Sequence, residues 1–281
     1  MPNTWKIAAV QLDCRFGRKD VNRERMFTHL RTAADQGARL VIFPECALTG
    51  YCFESRPEAL LHAEPMPGPS TDSIAALCQQ LNVWSVFGLL ECDGDKLFNA
   101  LALVSPSGFV ASYRKVHLPF LGVDRFATPG DRPFHVHDLG GLRIGLMICY
   151  DGSFPESARV LALQGADLLV LPTNWPEAAV CSAKYVGNTR AMENHVYYAA
   201  VNRVGVEAGF RFIGMSRVVD CNGDTIVGSD DDRETILLAD IDPAVARQKH
   251  QVRIPGVHEI NRIGDRRPEM YGLLVDRGVS A

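Results

Sequence analysis

The chain has 281 residues, 47% of them hydrophobic and 22% charged, with a formal net charge of -4. That profile suits a globular chain with ample core in one large domain or two, and a mildly acidic balance without basic runs leaves no electrostatic footprint for nucleic acid. No apolar run approaches the ~18 residues a membrane span needs, and Met1-Pro2-Asn3-Thr4-Trp5-Lys6 lacks the basic-then-apolar pattern of a signal peptide, so a cytoplasmic address is expected.

In chain order, residues 6–12 read as a strand. A helical stretch at 21–36 places Met26, Leu30 and Ala33-Ala34 on one face, and Gly37 closes it. Residues 39–43 form a buried strand ending in Pro44-Glu45. A helix is expected at 70–81, with Ile74, Leu77, Cys78 and Leu81 on one face. Strands at 83–90, 98–104 and 109–113 follow, the last two joined by Ser105-Pro106-Ser107-Gly108.

The second half repeats the order. A strand at 142–148, a helix at 155–164 with Gly165 as its cap, and a strand at 167–171 are followed by a helix around 183–193. Strands at 196–201, 214–219 and 225–227 complete it, the last two joined by Asp220-Cys221-Asn222-Gly223. The segments Gly37-Ala38-Arg39-Leu40-Val41-Ile42-Phe43-Pro44 and Gly165-Ala166-Asp167-Leu168-Leu169-Val170-Leu171-Pro172 match closely. Alternating helices and buried strands predict α/β layers, here a four-layer α-β-β-α sandwich with two pseudo-symmetric halves. Neither half is bounded by a linker, so 1–281 is expected to be a single domain. After Ile241-Asp242-Pro243 the pattern fades into a short helix at 243–251 and a polar, Arg-rich stretch. Residues 243–281 thus read as a C-terminal tail that either packs on a neighbouring subunit or stays disordered.

Eight cysteines are scattered without a Cys-x-x-Cys pair, so reduced thiols are expected rather than disulfides or zinc. His135-Val136-His137-Asp138 puts two rings on one face of a strand, but no further ligands are evident, and a solvated loop or edge strand is the expectation over a metal site.

Three polar residues stand at the ends of apolar strands, where open α/β sheets place ligands. Glu45 follows 40–44, Lys115 ends the hairpin strand, and Cys149 ends 142–148. Gly152 is expected to supply the tight turn after Cys149, with Pro155-Glu156 in the first turn of the next helix. Nearby peptide N–H groups and the positive helix end are expected to favour thiolate over thiol. Taken singly, Cys149 reads equally as a small buried hydrophobe, Glu45 as a helix-start carboxylate and Lys115 as a surface lysine beside Arg114. Together they supply a nucleophile, a proton carrier and positive charge for an oxyanion, which is what acyl transfer needs.

These segments resemble the signatures of the nitrilase, or carbon–nitrogen hydrolase, superfamily, amidase-type branch. The likeness rests on Phe43-Pro44-Glu45 with Leu48-Thr49-Gly50-Tyr51, on Tyr113-Arg114-Lys115-Val116-His117-Leu118-Pro119, and on Ile148-Cys149-Tyr150-Asp151-Gly152-Ser153-Phe154-Pro155-Glu156. It continues through Gly165-Ala166-Asp167, Leu171-Pro172-Thr173-Asn174-Trp175-Pro176, Arg190-Ala191-Met192-Glu193-Asn194 and Asn202-Arg203-Val204-Gly205.

The resemblance implies an αββα sandwich, usually a homodimer, acting on a small-molecule amide without metal or organic cofactor. It also implies Cys149 as nucleophile, Glu45 as general base and acid, and Lys115 with the backbone N–H of Tyr150 holding the oxyanion. Tyr150, Asn174 and Trp175 fall at the oxyanion and substrate side. Two departures matter. Many relatives carry a second glutamate before a Pro-Gly; between Lys115 and Pro129-Gly130 this chain has none, and Asp124 is the candidate supporting acid. Nitrile-cleaving members typically follow the cysteine with Trp-Glu where this chain has Tyr150-Asp151, and Ser153 stands where several branches place a carboxylate-gripping Arg. Small neutral amides are therefore expected ahead of ω-amido or carbamoyl acids. A nitrilase or N-carbamoyl hydrolase on the same residues is the alternative, with a non-catalytic ligand-binding relative or a metal-dependent hydrolase behind it.

Overall fold

A computed structural model describes residues 4–276. In its strand β1 (Trp5–Gln11), Ile7 and Ala9 face one apolar cluster and Ala8 and Val10 another, so the strand must be covered on both sides. α1 (Lys19–Asp35) buries Met26, Leu30 and Ala33, and the chain returns parallel to β1 in β2 (Leu40–Ile42). The short α2 (Arg56–Leu60) precedes α3 (Pro69–Leu81), which buries Ile74, Leu77 and Cys78. Then β3 (Trp84–Asp93) lies parallel to β2, and β4 (Lys96–Ser105) and β5 (Gly108–Arg114) follow as antiparallel neighbours.

The second sheet opens with the short edge strand β6 (Val136–Asp138), antiparallel to β7 (Arg143–Leu146). Next come α4 (Pro155–Leu163), β8 (Leu168–Thr173), α5 (Gly187–Asn194) and β9 (Tyr197–Asn202). A hairpin of β10 (Val204–Glu207) and β11 (Phe210–Ile213) intervenes before β12 (Arg217–Val219) and β13 (Thr225–Gly228). β14 (Thr235–Ile241) then crosses to pair antiparallel with β1.

Two six-stranded sheets result, ordered β14-β1-β2-β3-β4-β5 and β13-β12-β9-β8-β7-β6. Read from its other edge, the second matches the first strand for strand. Ile7, Leu40, Ile42 and Leu101 from the first sheet share one cluster with Ile144, Leu168, Val170 and Ala199 from the second. The opposite faces pack on α1 and α3, and on α4 and α5, giving the expected four layers.

Three features differ from the sequence reading. The strand expected at 214–219 shrinks to Arg217–Val219, because Gly214 turns at φ +62 and the preceding residues join the β10–β11 hairpin. The helix expected at 183–193 opens with a π-helical turn over Ser182–Val186. β14, unanticipated, closes the first sheet with residues that follow the second half in sequence.

Beyond α6 (Pro243–Arg247), the tail folds as a hairpin of β15 (Gln251–Ile254) and β16 (His258–Ile260). Lys249 Nζ donates to the His195 carbonyl at 2.7 Å and ties the tail to the end of α5. The tail is less uniformly polar than its Arg content suggests: Val252, Ile254, Val257, Leu273 and Leu274 are all exposed. Among the described residues, no helix is long and apolar enough to cross a membrane.

Candidate active site

β2 delivers Glu45. The pairing runs one residue past the strand, with Phe43 N–H donating to the Val86 carbonyl at 2.8 Å. The backbone then folds over β3 at Gly88, where a Cβ would stand 2.2 Å from Cys46 N and 2.7 Å from Glu45 Cα. Only a residue without a side chain permits that approach. Glu45 is fully buried and lies in no helix, so it is not a helix-start carboxylate. Its Oε1 accepts from Lys115 Nζ and from Asn99 Nδ2, each at 2.7 Å. Its Oε2 has no hydrogen-bond partner among the described residues. Burial pushes the Glu45 carboxyl above the ordinary carboxylate range; the Lys115 charge pulls it back, and Asp124 pushes it up again.

Lys115, immediately after β5, is also fully buried rather than a surface lysine. Its ammonium lies 2.5 Å from Asp124 Oδ2 as well as against Glu45. Burial alone would favour loss of its proton, but Asp124 and Glu45 more than offset that and hold it well above the usual lysine value. Asp124, on a 3₁₀ turn at Gly122–Arg125, takes further bonds from Asn99 Nδ2 at 2.8 Å and the Tyr51 hydroxyl at 2.8 Å.

Cys149 comes from the other half. Met147 N–H still pairs with the Val170 carbonyl at 3.0 Å, and the chain then turns sharply with Cys149 itself at φ +44. The turn is thus made by the cysteine and not by Gly152. Gly152 serves close packing instead, since a Cβ there would meet the Tyr198 hydroxyl at 3.0 Å and Leu171 Cδ2 at 3.2 Å. Pro155 opens α4 as expected.

A left-handed non-glycine residue persists only where its surroundings over-determine it. Here buried Asp151 accepts from Ile148 N–H (2.9 Å), the Tyr113 hydroxyl (2.7 Å) and His117 N–H (3.0 Å). Arg190 Nε adds a bond to the Gly152 carbonyl at 3.1 Å. The surroundings of Cys149 work against the expected resting thiolate. Burial, then the Glu45 charge, push the Cys149 thiol up to about 12. Lys115, the Thr173 hydroxyl and the Asn174 backbone N–H pull the other way without prevailing.

Tyr150, next to the cysteine, is 40% exposed and meets Phe154 edge-on at 5.1 Å. The Asn174 carboxamide is buried, with neither its nitrogen nor its oxygen hydrogen-bonded among the described residues. Trp175 is buried in the α4–α5 core, and Asn202 fixes its backbone by accepting from its N–H at 2.8 Å and donating to its carbonyl at 3.3 Å.

A family model described as carbon–nitrogen hydrolase matches residues 6–251. The chain belongs to that family. It is 38% identical over 267 residues to a nitrilase of Pyrococcus abyssi, covering 95% of this chain and 98% of that one. A carbon–nitrogen hydrolase from Helicobacter pylori superposes with a TM-score of 0.87 at 25% identity, covering 98% of this chain and 99% of the other. An amidase from Nesterenkonia sp. gives 0.83 at 25%, with 96% of each chain covered, and a variant of that amidase has been solved in complex with acrylamide.

In this hydrolase the remaining sequence candidates lie elsewhere. His135 and His137 flank Val136 at the β6 edge with rings 5.1 Å apart, and burial, then His135, lower His137 to about 4. Among the described residues no group of three candidate ligands forms there or anywhere else. Asn99, Asp151 and Arg190 were not singled out as site residues from the sequence. Asn99 had a readable signal, as the one polar residue in the apolar run Leu97-Phe98-Asn99-Ala100-Leu101. The bonds of Asp151 to Tyr113 and His117 and of Arg190 to the Gly152 carbonyl exist only once the halves and layers have packed.

Proposed function

We propose that this hydrolase cleaves the C–N bond of small neutral amides through a thioester on Cys149. The observation that carries the reading is the asymmetric environment of Glu45, whose charge acts on the Cys149 thiol: Oε1 is held by Lys115 and Asn99, while Oε2 is buried with no hydrogen-bond partner among the described residues. In this reading Oε2 takes the S–H proton as Sγ bonds to the carbonyl carbon. Lys115 has three N–H donors, of which two are spent on Glu45 and Asp124; the third, with the backbone N–H of Tyr150, receives the oxyanion. Glu45 returns its proton to the nitrogen, ammonia or an amine leaves, and the C–N bond is exchanged for C–S. A water deprotonated by Glu45 then attacks the thioester, releasing the carboxylic acid and restoring the thiol. Asp124 is assigned the supporting role, holding Lys115 charged and in place.

On the substrate, Ser153 is exposed, and Arg190 on α5 is already engaged with the Gly152 and Ser153 carbonyls and with Glu193. With Arg190 so engaged, it is not spare to grip a substrate carboxylate, which favours neutral amides. Nitrile cleavage is the second reading, favoured by the 38% identity to the Pyrococcus nitrilase. The exposed apolar tail supports a homodimer in which residues 243–276 complete one folded unit by packing on the neighbouring subunit, the rest of the expected tail, 277–281, lying outside the described residues.

The test is ammonia release across amides, nitriles and carbamoyl compounds, with mass spectrometry of the Cys149 peptide. Turnover of small amides with an acyl adduct is expected, both lost in Cys149→Ala. Activity surviving that change would eliminate the thioester, and nitriles turned over faster than amides would move the protein to the second reading.

A further inference from the structure

Asn99 sits on β4 with a buried carboxamide that touches both acidic residues of the site. One nitrogen donates to Glu45 Oε1 at 2.7 Å and to Asp124 Oδ1 at 2.8 Å, which uses both of its protons. Its oxygen accepts from the Cys46 thiol at 3.5 Å. The opposite amide orientation would aim Oδ1 at two carboxylates and is electrostatically excluded. Lys115 bonds the same Glu45 oxygen and the other Asp124 oxygen. The four groups thus close a ring in which Glu45 Oε1 and both Asp124 oxygens are occupied.

We infer that Asn99 is the positioning residue of the proton shuttle: it immobilises one oxygen of Glu45 and one of Asp124 together, so that Glu45 Oε2 alone is left to handle protons. The inference rests on the thioester reading above and adds a residue that touches no reacting atom. Asn99 is strictly a donor toward both carboxylates, so they cannot satisfy each other by sharing a proton across the gap. Remove it and two acids face one lysine; a proton bridging them would then occupy the shuttle. The groups facing Glu45 are Lys115 beyond β5, Asp124 on the 3₁₀ turn, Asn99 on β4, Tyr51 and Cys46 from the loop after β2, and Cys149 from the second half, and all but Asn99 are titratable.

The experiment compares wild type, Asn99→Ala, Asn99→Asp and Asn99→Ser. Two readouts are followed against pH: kcat and KM on the best amide, and the rate at which iodoacetamide alkylates Cys149, read by peptide mass spectrometry. Asn99→Ala is expected to lose about 100-fold in kcat with KM within about 3-fold, and to move the acid limb of both profiles upward. Asn99→Asp should shift the limb further, and Asn99→Ser, which keeps one donor, should recover part of the loss. Profiles that fall in height without moving along the pH axis would overturn the inference and leave Asn99 a packing residue. Should the Asn99 variants fail to fold, Cys46→Ala decides: loss of its thiol contact should produce a smaller upward shift, and an unchanged limb would count against the role. A wild type that releases no ammonia and forms no acyl adduct would refute the thioester reading, while the alkylation profiles would still report on Asn99.

Discussion

Glu45 carries two oxygens in unequal surroundings, and the proposed chemistry depends on that inequality. Glu45→Gln keeps the shape but removes the base, so kcat should fall by about 10³-fold or more, measured as ammonia release. Folding should survive. Because burial first of all raises the Glu45 carboxyl above its ordinary 4.5, the folded state binds that proton more tightly than the unfolded chain does. Ionised Glu45 therefore opposes folding as pH rises past the unfolded value, and a neutral Gln should leave Tm at pH 7 unchanged or higher. A clear drop in Tm would show that the bond to Lys115 outweighs the burial.

The same shift places the acid limb of wild-type activity above pH 4.5, while a thiol near 12 leaves the alkaline side flat through about pH 9. An alkaline limb in the range of an ordinary cysteine would mean that burial does not raise the Cys149 thiol. At this scale the sequence was informative about placement: Glu45, Lys115 and Cys149 each stand where an apolar strand stops. It was silent on protonation, because the burial that raises Cys149 and Glu45 comes from residues distant in the chain.

Elements position these groups through a few close approaches. Gly88 lets the Glu45–Cys46 backbone lie on β3, exchanging Gly88 N–H to Pro44 O at 3.1 Å and Leu48 N–H to Gly88 O at 3.1 Å. Gly88→Ala would drive a methyl into backbone that cannot rotate aside. Expected are a loss of about 1–3 kcal/mol in denaturant unfolding and a larger proportional loss of kcat, since the displaced residue is Glu45. Near-wild-type kcat would show that the loop relaxes without moving the carboxylate.

Asp151 links two elements from different halves, the turn after β7 and the segment after β5. Asp151→Ala should cost about 1.5–3 kcal/mol and slow Cys149 alkylation, as the turn at φ +44 loses the bonds that hold it. Element type was legible from periodicity for β1 to β5 and for α1, α3 and α4. The β10–β11 hairpin was not, because its strands are short and half-exposed and carry no strong period.

For the whole molecule, the strand that follows the second half completes the first sheet. The chain passes from β5 to β6 in the second sheet, and from β13 to β14 in the first. The first sheet is incomplete without β14, and the two sheets share one apolar cluster, so the halves should unfold together in a single transition by calorimetry, and two separable transitions would contradict this. The proposed dimer is tested by deleting residues 255–281: sedimentation should show dissociation at least about tenfold easier, and an unaltered dimer would place the interface elsewhere.

What the amino-acid order determined by itself was local and periodic: the doubled strand–helix pattern, the apolar faces, and three polar side chains at strand ends. Those follow from neighbours a few residues apart, which is the range over which periodicity and turn chemistry act. The tertiary structure alone decided which edge strand joins which sheet, that Cys149 takes the left-handed turn, and that Asn99 and Asp124 close the ring around Lys115 and Glu45. Each of these rests on contacts between residues far apart in sequence, formed only when the two sheets pack and water leaves the space between them.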